Sequence, residues 1–277
     1  MKPQRALFLT ANAMLVAVAM LCGHCADDRP SQLRCAEPAM KAQGIVVAGS
    51  GAAVPLFADL AMRYFEKTGQ RVFVPASIGT GGAIRALSDG AIHIGLATRP
   101  LKENERQPGV REIPFARTVL AVAVRRDGSA RPLDMQTIGR IFSGEMRRWP
   151  DGTPAVPLQR EPGDSGFAVL AGAEPGLFAR IREGREHPGR RFCYSDDEVM
   201  DALGQIPGAL GIVDEGMVRV MDAPFHLTRL PGARRTLFLL VKGTPTSEVR
   251  GFLNWLGSAE VDRRLQDVGY EPMKGNR

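Results

Sequence analysis

Short apolar runs alternate along this chain with segments whose apolar positions recur every three or four residues. Ile45–Gly49 is a compact apolar run that ends in glycine, which is typical of a buried parallel strand. Pro55 stands where a helix would begin, and an apolar stripe continues from it to Gly69. The same alternation continues to the end of the chain, so we predict an α/β fold with right-handed crossovers between strands.

The two periodicities predict the remaining elements. Strands are predicted at 71–74, 92–98, 118–124, 156–160, 209–213 and 237–241. Helices are predicted at 82–87, 134–143, from Ser165 onward, at 196–203 with Ser195 as cap, and once or twice within 246–268. The run 118–124 is strongly apolar and β-branched, and we expect it to cross between two lobes.

The first residues have the layout of a secretory signal peptide. Met1 to Arg5 is basic, residues 6–21 are mostly apolar, and small and polar residues follow. An apolar stretch of ~16 residues is short for a membrane span. We therefore predict a signal peptide at residues 1–26 and a periplasmic protein; a retained anchor, or a lipid anchor at Cys22 or Cys25, is the alternative.

Cleavage near Ala26 leaves two cysteines, Cys35 and Cys193. In an oxidising periplasm they could pair, and two buried free thiols are an equally open alternative.

Composition narrows the classes of function. Of the 277 residues, 44% are hydrophobic and 24% are charged, as in ordinary soluble globular proteins. The net charge is +6, and removal of Lys2 and Arg5 with the signal segment leaves +4, which suits an anionic partner. The arginine pairs are scattered and aromatic residues are few, so we expect no nucleic-acid partner and most of these pairs in solvent.

Three small-residue loops each stand at the start of a predicted helix: 49–55, 79–82 and 163–166. A helix N-terminus presents unpaired N–H groups and a partial positive charge. In open α/β sheets ligands bind at the carboxyl ends of the strands, where all three loops fall. Their convergence would form a socket for an oxyanion, with Ser and Thr hydroxyls as additional donors.

These loops belong to a longer series of ordered motifs. They are followed by 93–101 (His-Ile-Gly-Leu-Ala-Thr-Arg-Pro-Leu), 141–149 (Ile-Phe-Ser-Gly-Glu to Trp), Arg160 with 164–166, 207–211 (Pro-Gly-Ala-Leu-Gly) and 269–272 (Gly-Tyr-Glu-Pro). From about Gly44 to Met273 the chain resembles the phosphate-binding periplasmic receptors of ABC transporters, a branch of the type 2 periplasmic binding proteins. The resemblance implies two lobes, each a mostly parallel sheet flanked by helices, with the ligand cleft between them. The lobes would comprise 44–118, 119–232 and a return segment at 233–277.

The resemblance also implies which residues bind the anion. The family's ligand positions fall on Ala53, Val54, Thr80, Thr98, Arg160, Ser165, Gly166 and Phe167. The loops themselves add Ser50, Gly51 and Gly81, and Arg99 and Asp164 are further candidates.

Three of these positions depart from the family's pattern. Ala53 lacks a hydroxyl, Phe167 replaces a threonine, and Thr98 stands where such receptors often have an aspartate. An aspartate there accepts the proton of monohydrogen phosphate and repels fully ionised sulfate. An unpartnered buried donor or acceptor costs roughly 1–3 kcal/mol, so one acceptor can decide between oxyanions. Either Thr98 or Asp164 could take over this role.

We therefore expect a monomeric receptor that captures an inorganic oxyanion, with phosphate first, and delivers it to the membrane subunits of an ABC transporter. We expect no enzyme, no cofactor and no metal: neither the histidines nor Ser165 have the neighbours that such chemistry needs. The alternatives are a receptor for sulfate, molybdate or tungstate, a sensor or partner-interaction module that has lost transport, and a hydrolase or phosphatase on a related scaffold.

Overall fold

The computed structural model describes residues 44–125 and 133–273, and its helices and strands alternate as the sequence predicts. In chain order the elements are β1 (Ile45–Gly49), α1 (Val54–Thr68), β2 (Val72–Phe73), α2 (Gly79–Ser88), β3 (Ile94–Ala97), β4 (Val110–Arg125), α3 (Met135–Ser143), β5 (Val156–Arg160), α4 (Ser165–Ala173), α5 (Pro175–Glu183), β6 (Arg191–Cys193), α6 (Asp196–Gln205), β7 (Ala209–Asp214), α7 (Glu215–Val220), β8 (Phe225–Lys242), α8 (Ser247–Leu256), α9 (Ala259–Asp267) and β9 (Glu271–Pro272). Single 3-10 turns lie at Glu103–Glu105 and Gly184–Glu186.

The strands form one mixed sheet with the order β2-β1-β3-β8-β4-β7-β5-β6, and β9 pairs with β4. Each edge carries a parallel triplet, β2-β1-β3 on one side and β7-β5-β6 on the other. The two long strands β4 and β8 run antiparallel to each other through the centre. The predicted parallel sheet therefore describes the two edges, and the antiparallel centre joins them.

Helices cover the sheet and enclose two separate cores. The first core takes its residues from 45–116 and from 237–270, and Phe57, Phe115 and Phe252 lie fully buried in it. The second core is built from 120–233 and includes Phe142 and Phe167. Strands β4 and β8 pass from one core to the other and connect the lobes of a two-lobed α/β protein. Helix α7 also touches both cores, since Met217 and Val218 lie in the second and Val220 packs against the first.

The pairing of β4 with β8 is interrupted where the strands pass from one core to the other. Val119 pairs with Arg234 and Ala121 pairs with Arg229, so that β8 has four residues between these partners where β4 has one. Gly232, within this extra segment, has a φ of 82°, a conformation that glycine adopts without strain. The irregularity lies at the junction between the two cores.

Several predicted elements are confirmed together with their end signals. Helix α1 ends at Gly69, which has a left-handed φ of 74°. Asp134 caps α3 by accepting from the N–H of Thr137, and Ser195 caps α6 by accepting from Glu198. The predicted strand at 156–160 and the two predicted helices within 246–268 are also present.

Other boundaries differ from the predictions. Helix α2 begins at Gly79 instead of 82, because a glycine-rich first turn has little apolar periodicity to reveal it. Strands β4 and β8 begin at Val110 and Phe225, well before the apolar runs that predicted them, because their first halves are mixed polar and apolar. Helices α5 and α7 and strand β6 have no predicted counterpart; they are short and bury few apolar side chains.

The predicted signal segment at 1–26, with Cys22 and Cys25, and the partner cysteine Cys35 lie outside the described residues. Within 44–125 and 133–273, no helix combines the length and the apolar character that crossing a bilayer requires. Cys193 is buried and has no disulfide partner among the described residues; its Sγ lies 3.7 Å from the carbonyl oxygen of Glu198, and burial raises the pKa of the thiol.

Candidate functional site

Three hydroxyls from three separate loops form a continuous chain where the two cores meet. Ser50 follows β1, Thr98 follows β3, and Ser165 is the first residue of α4. Thr98 Oγ1 lies 3.0 Å from Ser50 Oγ and 3.0 Å from Ser165 Oγ. Because Ser50 and Thr98 extend from the first core and Ser165 from the second, this chain connects the two lobes.

The start of α2 lies beside the same chain of hydroxyls. Thr80 Oγ1 accepts a hydrogen bond from the N–H of Thr98 at 3.4 Å. The residue before the helix is Ile78, whose side chain makes no capping bond, and Ser77 Oγ accepts from the N–H of Gly79 at 3.3 Å. The positive end of the helix dipole and the first-turn N–H groups beyond Gly79 therefore lie beside Thr98, which Thr80 contacts.

Helix α4 begins differently, because Asp164 caps it. Asp164 Oδ1 accepts from the N–H of Gly166 at 2.9 Å and from that of Phe167 at 3.2 Å. These two amides were expected to donate to the anion, and in this structure they donate to the cap. Ser165 therefore contributes its hydroxyl to the site.

Arg160, at the end of β5, is held in place by Asp164. Its Nε and Nη2 donate to Asp164 Oδ2 at 3.1 and 2.7 Å, and Nη1 donates to the carbonyl oxygen of Cys193 at 3.4 Å. Both side chains are buried. A guanidinium fixed in this way by a carboxylate is pre-organised, with donors remaining on Nη1 and Nη2 for an anion.

A second arginine lies close to the first. Arg235, on β8, places Nη1 3.5 Å from Asp196 Oδ1, while Asp196 Oδ2 lies 3.9 Å from Arg160 Nη2. The carboxylate of Asp196, at the start of α6, thus lies between two guanidiniums. It also faces the first lobe, because a β-carbon built on Gly51 would lie 3.2 Å from Asp196 Oδ2.

The charges of this cluster shift the pKa values of its carboxyls in opposite directions. Burial alone would raise the pKa of Asp164, but the charges of Arg235 and Arg160 outweigh it and hold that pKa below its ordinary value. Burial dominates at Asp214, the last residue of β7, and raises its pKa to about 7. Asp164 is therefore ionised at neutral pH, whereas Asp214 titrates there.

The amides of Ala53 and Val54 are engaged elsewhere. Ala53 N–H donates to the carbonyl oxygen of Ser50 at 3.0 Å, and Val54 N–H donates to that of Gly51 at 3.2 Å, which closes the turn into α1. Gly81, in the first turn of α2, carries no side chain to contribute.

Arg99 is directed away from the hydroxyl chain. Its Nη1 and Nη2 donate to the two carboxylate oxygens of Glu105 at 2.6 and 2.7 Å. This fork pair lowers the pKa of Glu105 to about 2.

Sequence reasoning did not select Asp196 and Arg235, two charged residues of this cluster. Arg235 follows Arg234 in one of the arginine pairs that we expected in solvent. The structure separates the two: the side chain of Arg234 is 51% exposed and pairs with Glu271, whereas that of Arg235 is 3% exposed. One sequence signal could have identified Arg235 as buried. It alternates with Ala233 and Leu237 on the same face of β8.

The arrangement can bind an anion by hydrogen bonds and charge. Hydroxyls and guanidiniums together offer donors from several directions, and the start of α2 adds a helix dipole. Among residues 44–125 and 133–273, no group of three or more His, Cys, Asp or Glu side chains is arranged to hold a metal ion.

Comparisons with known proteins identify the family and the fold. The phosphate-binding protein PstS of Bacillus subtilis (strain 168) is 22% identical over 300 residues, which covers 99% of this chain and 95% of that protein. A putative phosphate ABC transporter substrate-binding protein with bound phosphate, from Clostridium perfringens, has a similar fold: the TM-score is 0.62 at 17% identity, over 83% of this chain and 100% of that one. For an ABC-type phosphate transport receptor from Vibrio cholerae the TM-score is 0.53 at 18% identity, over 82% and 99% of the two chains. The family model of the PBP superfamily domain matches residues 36–230, which is more than half of the chain. The chain belongs to the PBP superfamily.

Proposed function

We propose that this protein is an exported receptor that captures inorganic phosphate between its two lobes and delivers it to the membrane subunits of an ABC importer. The observation that carries the proposal is the meeting of Ser50, Thr98 and Ser165 beside Arg160. A relative named as a phosphate-binding protein, similar over almost the whole chain, supports the choice of phosphate. The predicted signal segment at 1–26 supports export.

Binding would use the residues according to their chemistry. The hydroxyls of Ser50, Thr98, Thr80 and Ser165 both donate and accept, so they can adjust to an oxyanion in more than one protonation state. Arg160, fixed by Asp164, supplies a positive charge at a defined place. No bond of the ligand is broken, so the protein acts by binding and release alone.

The carboxylate of Asp196 supports phosphate over a fully ionised oxyanion. It lies beside Gly51 of the first loop and is the least buried carboxylate of the cluster, with 16% of its side chain exposed. Asp164 cannot take this part, because both of its oxygens already accept hydrogen bonds from the protein. A carboxylate accepts a hydrogen bond from monohydrogen phosphate and repels sulfate.

Closure around the anion would follow from the connection between the lobes. Strands β4 and β8 cross between the cores, and their pairing is irregular at the crossing. Hinges are usually a few residues that absorb changes in backbone angles. A loaded and an empty receptor would then differ in shape, and the transporter could distinguish them.

Calorimetric titration of the exported, ligand-stripped protein with phosphate, sulfate, molybdate and tungstate tests this proposal. We expect phosphate to bind with micromolar or tighter affinity and sulfate at least tenfold more weakly. Asp196→Asn should narrow the difference between the affinities for phosphate and sulfate. The matched control is Asp201→Asn, which changes an exposed carboxylate on the same helix.

Tighter binding of a fully ionised anion would reassign the solute. No heat with any of the four anions would contradict the receptor function and favour a sensor or partner-interaction module.

A further inference from the structure

Three buried polar side chains lie behind the cluster at the crossing strands: Asp214 at the end of β7, Arg235 on β8, and Tyr270 after α9. They are 1%, 3% and 2% exposed. Asp214 pairs in register with Leu120 and Arg235 with Thr118, two neighbouring positions on one side of β4. This group therefore lies at the junction of the two cores.

These side chains are poorly satisfied by one another. Arg235 Nη1 lies 3.2 Å from Asp214 Oδ2, which is an ion pair by distance. Nevertheless, both oxygens of Asp214, Nε and Nη1 of Arg235 and the hydroxyl of Tyr270 have no hydrogen-bond partner of suitable geometry among the described residues. A buried arginine and aspartate that served packing alone would normally form a hydrogen-bonded fork. Leaving such groups unpaired is costly, which is a feature of functional sites.

The guanidinium of Arg235 lies next to the candidate anion site. A β-carbon built on Gly166 would lie 2.4 Å from Arg235 Nη2, so the guanidinium packs against the first turn of α4, next to Ser165. Its Nη1 faces the same Asp196 carboxylate that Arg160 faces from β5. Two guanidiniums on different strands thus converge beside the hydroxyl chain.

We propose that Arg235 is a second cationic ligand of the captured oxyanion, and that Asp214 behind it takes up a proton from solvent when the oxyanion binds. This inference rests on the proposed function, and it adds a ligand and a pH dependence to it. The proton goes to a carboxylate oxygen of Asp214, and the anion keeps its own protonation state.

The charges around Asp214 determine the direction of the effect. Arg235 of β8 and Arg160 of β5 favour its ionised form, whereas Asp196 of α6, Asp164 of α4 and burial oppose it. Tyr270, whose own pKa is raised by burial and by Asp214, is a neutral neighbour at physiological pH.

The pKa of Asp214 is raised to about 7, so a further negative charge nearby would raise it again. Below this pH Asp214 is neutral and the charge of Arg235 is available to an anion. Above it the carboxylate offsets that charge, and anion affinity should fall.

The test is calorimetric titration with phosphate at pH 6, 7 and 8, comparing the exported protein with Asp214→Asn. The comparison cancels the titration of phosphate itself. We expect similar dissociation constants at pH 6 and binding by Asp214→Asn that is roughly tenfold tighter than wild type at pH 8, because the variant lacks the opposing charge. Asp201→Asn should follow the wild-type profile. A ratio that stays constant from pH 6 to pH 8 would overturn the role of Asp214.

The arginine is tested by a pair of neighbours on the same strand. Arg235→Gln should weaken phosphate binding by at least thirtyfold, while Arg234→Gln, at the exposed position, should remain within twofold of wild type. If Arg235→Gln does not fold, Arg235→Lys keeps the charge without the fork and should lose about tenfold. Wild-type affinity in the Arg235 variants would overturn the second-cation role.

A measurement on the unmodified protein covers the case in which Asp214→Asn does not fold. Infrared difference spectra at pH 7.5 should show the band of a buried protonated carboxyl appearing when phosphate is added, and its absence would overturn proton uptake. If the wild-type protein bound no phosphate at any pH, the proposed function would fall and this inference with it. Binding without the pH-dependent ratio would overturn this inference alone.

Discussion

Thr98 Oγ1 is the atom at which the two lobes of the site meet. It lies 3.0 Å from a hydroxyl of each lobe, Ser50 Oγ and Ser165 Oγ. A hydroxyl can accept from one neighbour while it donates to another, which a carboxylate at this position could not do. The threonine thus suits a site with hydroxyls on both sides of it, and we propose Asp196 for the acidic role.

Removal of this hydroxyl should weaken binding without disturbing the fold. Thr98→Val keeps the shape of the side chain, and we expect phosphate affinity to fall about fivefold, since one hydrogen bond contributes roughly 1 kcal/mol. Thr98→Ser, which keeps the hydroxyl, should remain close to wild type. Calorimetric titration of both variants provides the check against the fivefold loss, and equal affinities for the valine and serine variants would contradict a ligand role for the hydroxyl.

At the scale of residues, the sequence indicated the loops of the candidate site but only some of its charged side chains. Ser50, Thr80, Thr98 and Ser165 could be predicted because loop-to-helix transitions have local signatures in glycine and hydroxyl residues. Asp196 and Arg235 could not, because their role depends on pairing across the fold, over distances that no local pattern encodes. Arg235 in particular resembles a surface residue until its strand is extended back from the apolar run.

Among the elements, helices α2 and α4 meet at the site but begin in different ways. Asp164 caps α4 and simultaneously holds Arg160, whereas at α2 the N-cap residue Ile78 makes no capping bond and Ser77 Oγ accepts from the N–H of Gly79. Helix α4 therefore serves to position Arg160 and Ser165, and the first turn of α2 keeps N–H groups for an anion. One carboxylate thus links helix stability to the placement of a ligand residue.

Loss of this cap should affect both stability and binding. Asp164→Ala is expected to lower the free energy of unfolding by more than about 2 kcal/mol, since it removes a cap and leaves Arg160 buried without its partner. It should also weaken phosphate binding at least tenfold. Ser258→Ala, which removes the cap of α9 far from the site, should cost about 1 kcal/mol and leave binding unchanged.

The pH dependence of the same variant follows from the lowered pKa of Asp164. A carboxyl whose pKa is lower in the folded state stabilises the protein above its unfolded pKa, and this contribution is lost as the pH falls through the folded value. The difference in stability between wild type and Asp164→Ala should therefore shrink under acid conditions. Urea unfolding at pH 7 and at pH 3 measures it, and a constant difference would show that Asp164 acts without its charge.

For the elements themselves, the sequence was most informative where an apolar run ends in a cap or a glycine. Helices α1, α3 and α6 were predicted with their end signals for this reason. The extents of β4 and β8 were not, because each strand carries one pattern in the first core and another in the second. A strand that serves two cores has no single periodicity to detect.

For the whole molecule, the notable feature is that one sheet serves two cores. The parallel triplets at its edges could be predicted, since alternating strands and helices require right-handed crossovers. The antiparallel centre could not be predicted, because there β4 pairs with β8, whose residues lie about a hundred positions or more further along the chain. This return brings Arg235 under the second lobe and makes the crossing strands part of the site.

A crystal structure of the exported protein with phosphate would test the proposed capture between the lobes most directly. We expect one tetrahedral anion within hydrogen-bond distance of Thr98 Oγ1, Ser165 Oγ and the guanidinium of Arg160, with Arg235 on its second side. Phosphate found only at exposed arginines, or no phosphate at a saturating concentration, would contradict the proposal that this junction is the binding site.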